Sequence, residues 1–102
     1  MVELPHAKSE YLGRGRDGHD FRLRLTFGEA VVDLPLRVTA SDMAIHGPAP
    51  KADPGGWATA ACLWVERKFH GQFSSRLESG APVLEQVQAW RAELPLYLHF
   101  GE

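Results

Sequence analysis

The chain has one cysteine, Cys62, in 102 residues. That excludes a disulfide framework and a cysteine-based zinc site, which both need several thiols at set spacings. No apolar run approaches the roughly 18 residues of a membrane span, and the opening MVELPHAKSE lacks the charged-then-apolar order of a secretory signal. Charge of one sign is scarce too. With a formal net charge of −2, the chain lacks the basic excess of proteins that bind bulk nucleic acid. Its histidines, His6, His19, His46, His70 and His99, form no HExxH motif and no close pair. No serine stands in a nucleophile elbow, and no local spacing brings two carboxylates together. The expectation is a cytoplasmic, non-enzymatic protein with no catalytic residue, no metal and no cofactor.

What is present suits one globular domain over residues 1–102. The hydrophobic share of 44% and charged share of 24% are ordinary for a folded chain and argue against wholesale disorder. Residues 20–27, DFRLRLTF, alternate strictly, with Phe21, Leu23, Leu25 and Phe27 on one face. Residues 30–39, AVVDLPLRVT, do the same with Val32, Leu34, Leu36 and Val38. Period two marks half-buried strands. Between them, Gly28-Glu29 suits a two-residue type II′ turn. The register that follows sets Leu25 against Val32, Leu23 against Leu34 and Phe21 against Leu36. On the other face it sets Arg24 against Asp33 and Asp20 against Arg37. Pro35 has no N–H to donate, which places it on a free edge. The first dozen residues carry no clear pattern, with Tyr11 and Leu12 adding a little edge structure or none, and residues 1–18 together read as a loosely ordered segment.

The second half reads as another hairpin followed by a helix. Residues 57–69, WATAACLWVERKF, are apolar on both faces and are taken as a long strand partnered by 73–78, FSSRLE. A loop over residues 70–72 pairs Phe69 with Phe73, Val65 with Leu77 and Glu66 with Arg76. Pro82 suits the first turn of a helix, and Val83, Leu84, Val87, Trp90 and Leu94 form its apolar stripe. Pro95 ends it. The tail LYLHF is either a last short strand or a final helical turn. The expected fold is α+β: an antiparallel sheet of four to five strands with one C-terminal helix on one face.

Three features bear on function. The stretch GRGRDG, residues 13–18, matches G-x-G-x-x-G, but it precedes a strand and opens no βαβ unit, so it reads as a turn. Arg22, Arg24 and Arg37 on the outward hairpin face, with Arg14 and Arg16 just before it, form the densest basic surface, diluted by Asp20 and Asp33; it reads as a solvated, self-paired face before a docking surface for an acidic partner. The loop AIHGPAPKADPGGW, within a crossover over residues 41–56 and ending at Trp57, is long for a compact domain, a length often functional. It offers His46, Lys51 and Asp53 as contacts, with Trp57 anchoring its end. In the strand reading Trp64 faces away from Leu63 and Val65, so one of the two rows stays uncovered by the helix and suits a partner.

The segment from Val65 to Leu98, with its Phe69-x-Gly71-x-Phe73 turn and Leu84…Trp90…Leu94 helix, resembles part of small bacterial immunity-type domains. The resemblance implies a non-catalytic protein that neutralises a toxin by binding it. The expected function is therefore a protein-binding module or self-associating domain, touching its partner through Trp57, Trp64, Arg22, Arg24, Arg37, His46, Lys51 and Asp53. The alternative is a nucleic-acid- or small-ligand-binding domain using the basic hairpin face.

Overall fold

The computed structural model of the chain describes residues 4–49 and 54–98. It contains β1 (Ala7–Arg14), β2 (Gly18–Phe27), β3 (Ala30–Thr39), α1 (Ala40–His46), α2 (Pro54–Phe73), α3 (Val83–Ala89) and β4 (Leu96–Tyr97). The protein is α+β, with a four-stranded mixed sheet in the order β1-β2-β3-β4.

The hairpin of β2 and β3 has the register that the alternation demands. Leu25 faces Val32, Leu23 faces Leu34 and Phe21 faces Leu36, and Gly28 adopts the φ of 60° that the two-residue turn requires. Each of these inward side chains is at most 3% exposed. On the outer face Arg24 meets Asp33 at 2.9 Å and Arg37 meets Asp20 at 2.7 Å. Local alternation, turn chemistry and charge all specify one register, and a one-residue slip would bury the arginines.

Residues 7–14 correct the reading of a loosely ordered start: they form β1, antiparallel to β2. Its inward residues Ala7, Ser9 and Tyr11 are too small or polar to show apolar alternation, so the strand is specified by its partners. Ser9 is 8% exposed, and its hydroxyl donates to the Cys62 carbonyl at 2.9 Å and to Glu66 Oε2 at 3.1 Å. The Ser9 backbone N–H also donates to Glu66 Oε2, at 2.7 Å. Glu66 thus takes the donor that this edge strand would offer another chain, a common protection of sheet edges.

The second hairpin is not formed. Residues 54–73 are a single helix of 20 residues, about 30 Å long. Trp57, Ala61, Val65, Phe69 and Phe73 recur every fourth residue, and the last four are at most 4% exposed. A row that is apolar on both strand faces over 13 residues is too long for an ordinary strand, and alanines favour a helix there. Trp64 and Val65 are buried together, whereas Leu63 is 55% exposed. Phe69-x-Gly71-x-Phe73, which carried the resemblance to immunity-type domains, lies in the last turns of α2 rather than between strands. The crossover over 41–56 is likewise not all loop, because α1 occupies its start and α2 its end.

The C-terminal stripe holds as read, shortened into α3 and a 3-10 turn at Trp90–Glu93. Val87 and Trp90 are buried, and Trp90 packs on Phe73 and Phe69 with centroids 5.2 and 6.2 Å apart. The Arg76 guanidinium lies over both Phe73 and Trp90 and donates to Glu93 at 2.7 Å. Of the tail, Leu96–Tyr97 form a short strand. β4 runs parallel to β3 and pairs only at Leu36 and Arg37, leaving Pro35 unpaired on that side. The sheet is therefore mixed, not wholly antiparallel, and helices are not confined to the C-terminus. No helix among the described residues is long and apolar enough to cross a membrane.

Candidate functional site

The site arises from one irregularity in β1. Tyr11 pairs with Phe21, but Gly13 pairs with Asp20 and Arg14 with His19, so Leu12 is an extra, unpaired residue. In a regular strand residue 14 would share the outer face with Lys8 and Glu10. The bulge shifts parity by one, so Arg14 comes to lie opposite His19, on the side of Tyr11, and Leu12 is left 55% exposed. Bulges often re-aim side chains in this way beside functional sites.

Three rings from three elements meet there. The Tyr11 hydroxyl is 2.9 Å from His19 Nδ1, with ring centroids 5.9 Å apart. Trp57, in the first turn of α2, sets its ring edge against Tyr11 at 5.3 Å and lies 5.6 Å from His19. Its indole N–H donates to the Pro48 carbonyl at 3.3 Å, which orients the ring. α1 completes the enclosure with Met43 and the small residues Ala40 and Ala44, capped at its start by Thr39 Oγ1 accepting from Asp42 N–H at 3.2 Å. The result is an open cavity of about 820 Å³, with Arg14 among its lining residues and no carboxylate among the described ones. Its size falls in the range of small-molecule sites, and so does its mostly apolar wall with few polar groups.

Burial pushes the His19 imidazole below its ordinary pKa, the nearby Arg14 charge adds to the effect, and Asp20 opposes it. Burial raises the Tyr11 phenol, with Arg14 pulling it down and Asp20 pushing it up. Both groups are neutral near pH 7. The phenol is the better donor and the imidazole the better acceptor, so Nδ1 accepts and the ring hydrogen sits on Nε2. A pH dependence follows. Because folding holds His19 below its usual 6.5, the ring stabilises the fold fully above that pH, and the contribution is lost as the pH falls through the folded-state value. Urea denaturation should show stability falling from about pH 7 to pH 5.5, with a flatter profile in His19→Gln. An NMR titration placing the His19 midpoint at or above 6.5 contradicts this.

Of the residues expected to touch a partner, only Trp57 lies in this cavity. Trp64 is 8% exposed and packs mainly into the core, but its remaining surface lines a separate cavity together with His46; the uncovered row of a strand is not formed, because residues 54–73 are a helix. Arg22, Arg24 and Arg37 are on the outer sheet face, each beside an acid: Glu10, Asp33 and Asp20. His46 is exposed at the end of α1 and lines a separate cavity with Arg67 and Gln72. Lys51, Asp53 and His99 lie outside the described residues. A groove of about 760 Å³ follows the β1 edge past Lys8, Arg22, Arg24 and Cys62, but Arg22 and Arg24 are already engaged by Glu10 and Asp33. Among the described residues no three His, Cys, Asp or Glu side chains group as metal ligands.

Sequence reading does not single out Met43; it sets Arg14 beside the basic hairpin face, His19 among histidines with no close partner and Tyr11 in an unpatterned segment, and it brings none of the four together. The available signal was a glycine at position 13 inside a tyrosine-led segment, a pattern that marks strand irregularities. Which residue it re-aims is visible only from the pairing.

The fold and cavity define an α+β module with a one-sided helical layer and an aromatic pocket at one end of the sheet. Comparison with protein-family models, curated proteins and solved structures finds no match to this chain.

Proposed function

We propose that this protein is a non-enzymatic binding module that holds a small, flat, largely apolar ligand in the Tyr11–His19–Trp57 cavity. The observation that carries this reading is the convergence of three rings from β1, β2 and α2 around one open cavity, with centroids 5.3–5.9 Å apart. The Tyr11 hydroxyl and the Trp57 N–H are already hydrogen-bonded within the protein, so the cavity offers aromatic surface more than polar groups. Among the described lining residues no serine, cysteine, lysine or carboxylate nucleophile stands beside His19, and the Tyr11 hydroxyl there is an un-ionised phenol, which favours binding over chemistry. The self-paired arginines of the outer face weigh against nucleic acid as the ligand.

Planar aromatic fragments should perturb the NMR signals of Tyr11, His19 and Trp57 together, leaving the core residues Trp64 and Trp90 unmoved. Trp57→Ala should weaken that binding about tenfold, the scale of one lost aromatic contact, and Trp57→Phe much less. If millimolar fragments leave these three signals unshifted, the cavity is not a binding site.

A further inference from the structure

We infer that the ligand of this cavity is a planar carboxylate, its acid group held by Arg14 and its ring seated against Trp57 and Tyr11. The inference rests on the cavity being the binding site, and it adds the chemical class. Its basis is the placement of the arginines. Arg22, Arg24, Arg37 and Arg76 each have a carboxylate at hand, from Glu10, Asp33, Asp20 and Glu93. Arg14 has no ion pair among the described residues, yet the bulge at Leu12 turns it from the acid-studded outer face to the cavity side. There it stands close enough to act electrostatically on both Tyr11 and His19, as does Asp20 with the opposite sign, but the Asp20 carboxylate is already paired with Arg37 at 2.7 Å.

Among the described residues no carboxylate shares the cavity lining with it, so an incoming acid meets a cation that none of those lining residues neutralises. A guanidinium offers two parallel N–H donors, a fork that fits a carboxylate in its own plane. The neutral His19 ring carries a second donor on Nε2, suited to a carboxylate oxygen or a carbonyl beside it. One arginine and one neutral imidazole among aromatic walls match a single negative charge on a flat body. A phosphate monoester, with about two charges near neutral pH, calls for more cations than these. A cationic aromatic would meet the exposed Arg14 as a like charge, and a neutral one would gain nothing from it.

Calorimetry with 2-naphthoate, 2-naphthamide and 2-naphthyl phosphate tests this, alongside NMR of Trp57 and His19. The wild-type protein should bind the carboxylate about tenfold or more tightly than the amide, the scale of one charge-assisted hydrogen bond. Arg14→Gln should erase that preference while the amide binds as before, Arg14→Lys should retain part of it, and Arg16→Gln should leave it intact. Equal binding of acid and amide, or a preference surviving Arg14→Gln, overturns the carboxylate assignment and leaves the cavity as a site. Tighter binding of the phosphate overturns it in favour of a dianion. Failure of all three probes to perturb Trp57 and His19 overturns the cavity reading itself.

Discussion

Phe69→Ala should destabilise the protein by about 3–5 kcal/mol, the cost of deleting a fully buried phenylalanine. Phe69 is 0% exposed, stacks on Phe73 at 4.6 Å with an interplanar angle of 15°, and meets Trp90 edge-on at 6.2 Å. It therefore joins the last turns of α2 to the 3-10 turn that follows α3, and no neighbour can fill the space of its ring. A domain of this size has about 5–15 kcal/mol of total stability, so the variant should be at the margin of folding at room temperature. The measurement is urea denaturation followed by circular dichroism. A loss below about 1 kcal/mol contradicts the helical packing, because a ring at the mouth of a surface hairpin could be trimmed at that cost.

Gly18→Ala should cost about 1–3 kcal/mol and weaken ligand binding as well. An added Cβ at Gly18 would stand 2.1 Å from the Val38 carbonyl oxygen and 2.8 Å from the Thr39 Cα, both backbone atoms that cannot rotate away. Gly18 is the last pair of the β2–β3 ladder, opposite Thr39, whose side chain caps α1. Moving that backbone moves α1, and with it Met43, Ala40 and Ala44 on the cavity wall. Gly71→Ala gives the contrast. It lies inside α2 with nothing within 4 Å of the added carbon, so the same substitution should stabilise the helix by up to about 1 kcal/mol. Opposite signs for the two variants, read from denaturation midpoints, check the backbone geometry at the site. A neutral Gly18→Ala with unchanged affinity for an aromatic probe shows that β2 and the α1 junction are not held this closely.

The parts of the fold legible in the sequence are those whose signals are local. β2 and β3 alternate with period two about a turn that only one register closes, and opposite charges across the outer face agree with it. The stripe Val83, Leu84, Val87, Trp90 and Leu94 is likewise read from spacing, since a 3.6-residue period needs no distant partner to be recognised. α2 fell between the two patterns. Trp57, Ala61, Val65, Phe69 and Phe73 have helical spacing, but Ala58, Ala60, Cys62, Leu63 and Trp64 fill the gaps with apolar residues and mask the period. The length of the run was the better guide, since strands seldom extend so far.

The site lay beyond such signals. The sequence by itself determined the β2–β3 register, the pairing of Arg24 with Asp33 and of Arg37 with Asp20 across it, and the buried face of the last helix, because each follows from one hairpin or one helical period; the Glu10 partner of Arg22 had to wait for β1. Only the tertiary structure decided that residues 54–73 are a helix laid on the sheet, that β1 exists at all, and that the tail lies parallel to β3. It also decided the side on which Arg14 lies. One unpaired residue, Leu12, inverts the facing of the strand beyond it, and that inversion depends on β2 rather than on β1's own composition. Tyr11, His19, Met43 and Trp57 come from four elements, so no spacing along the chain could announce that they surround one cavity.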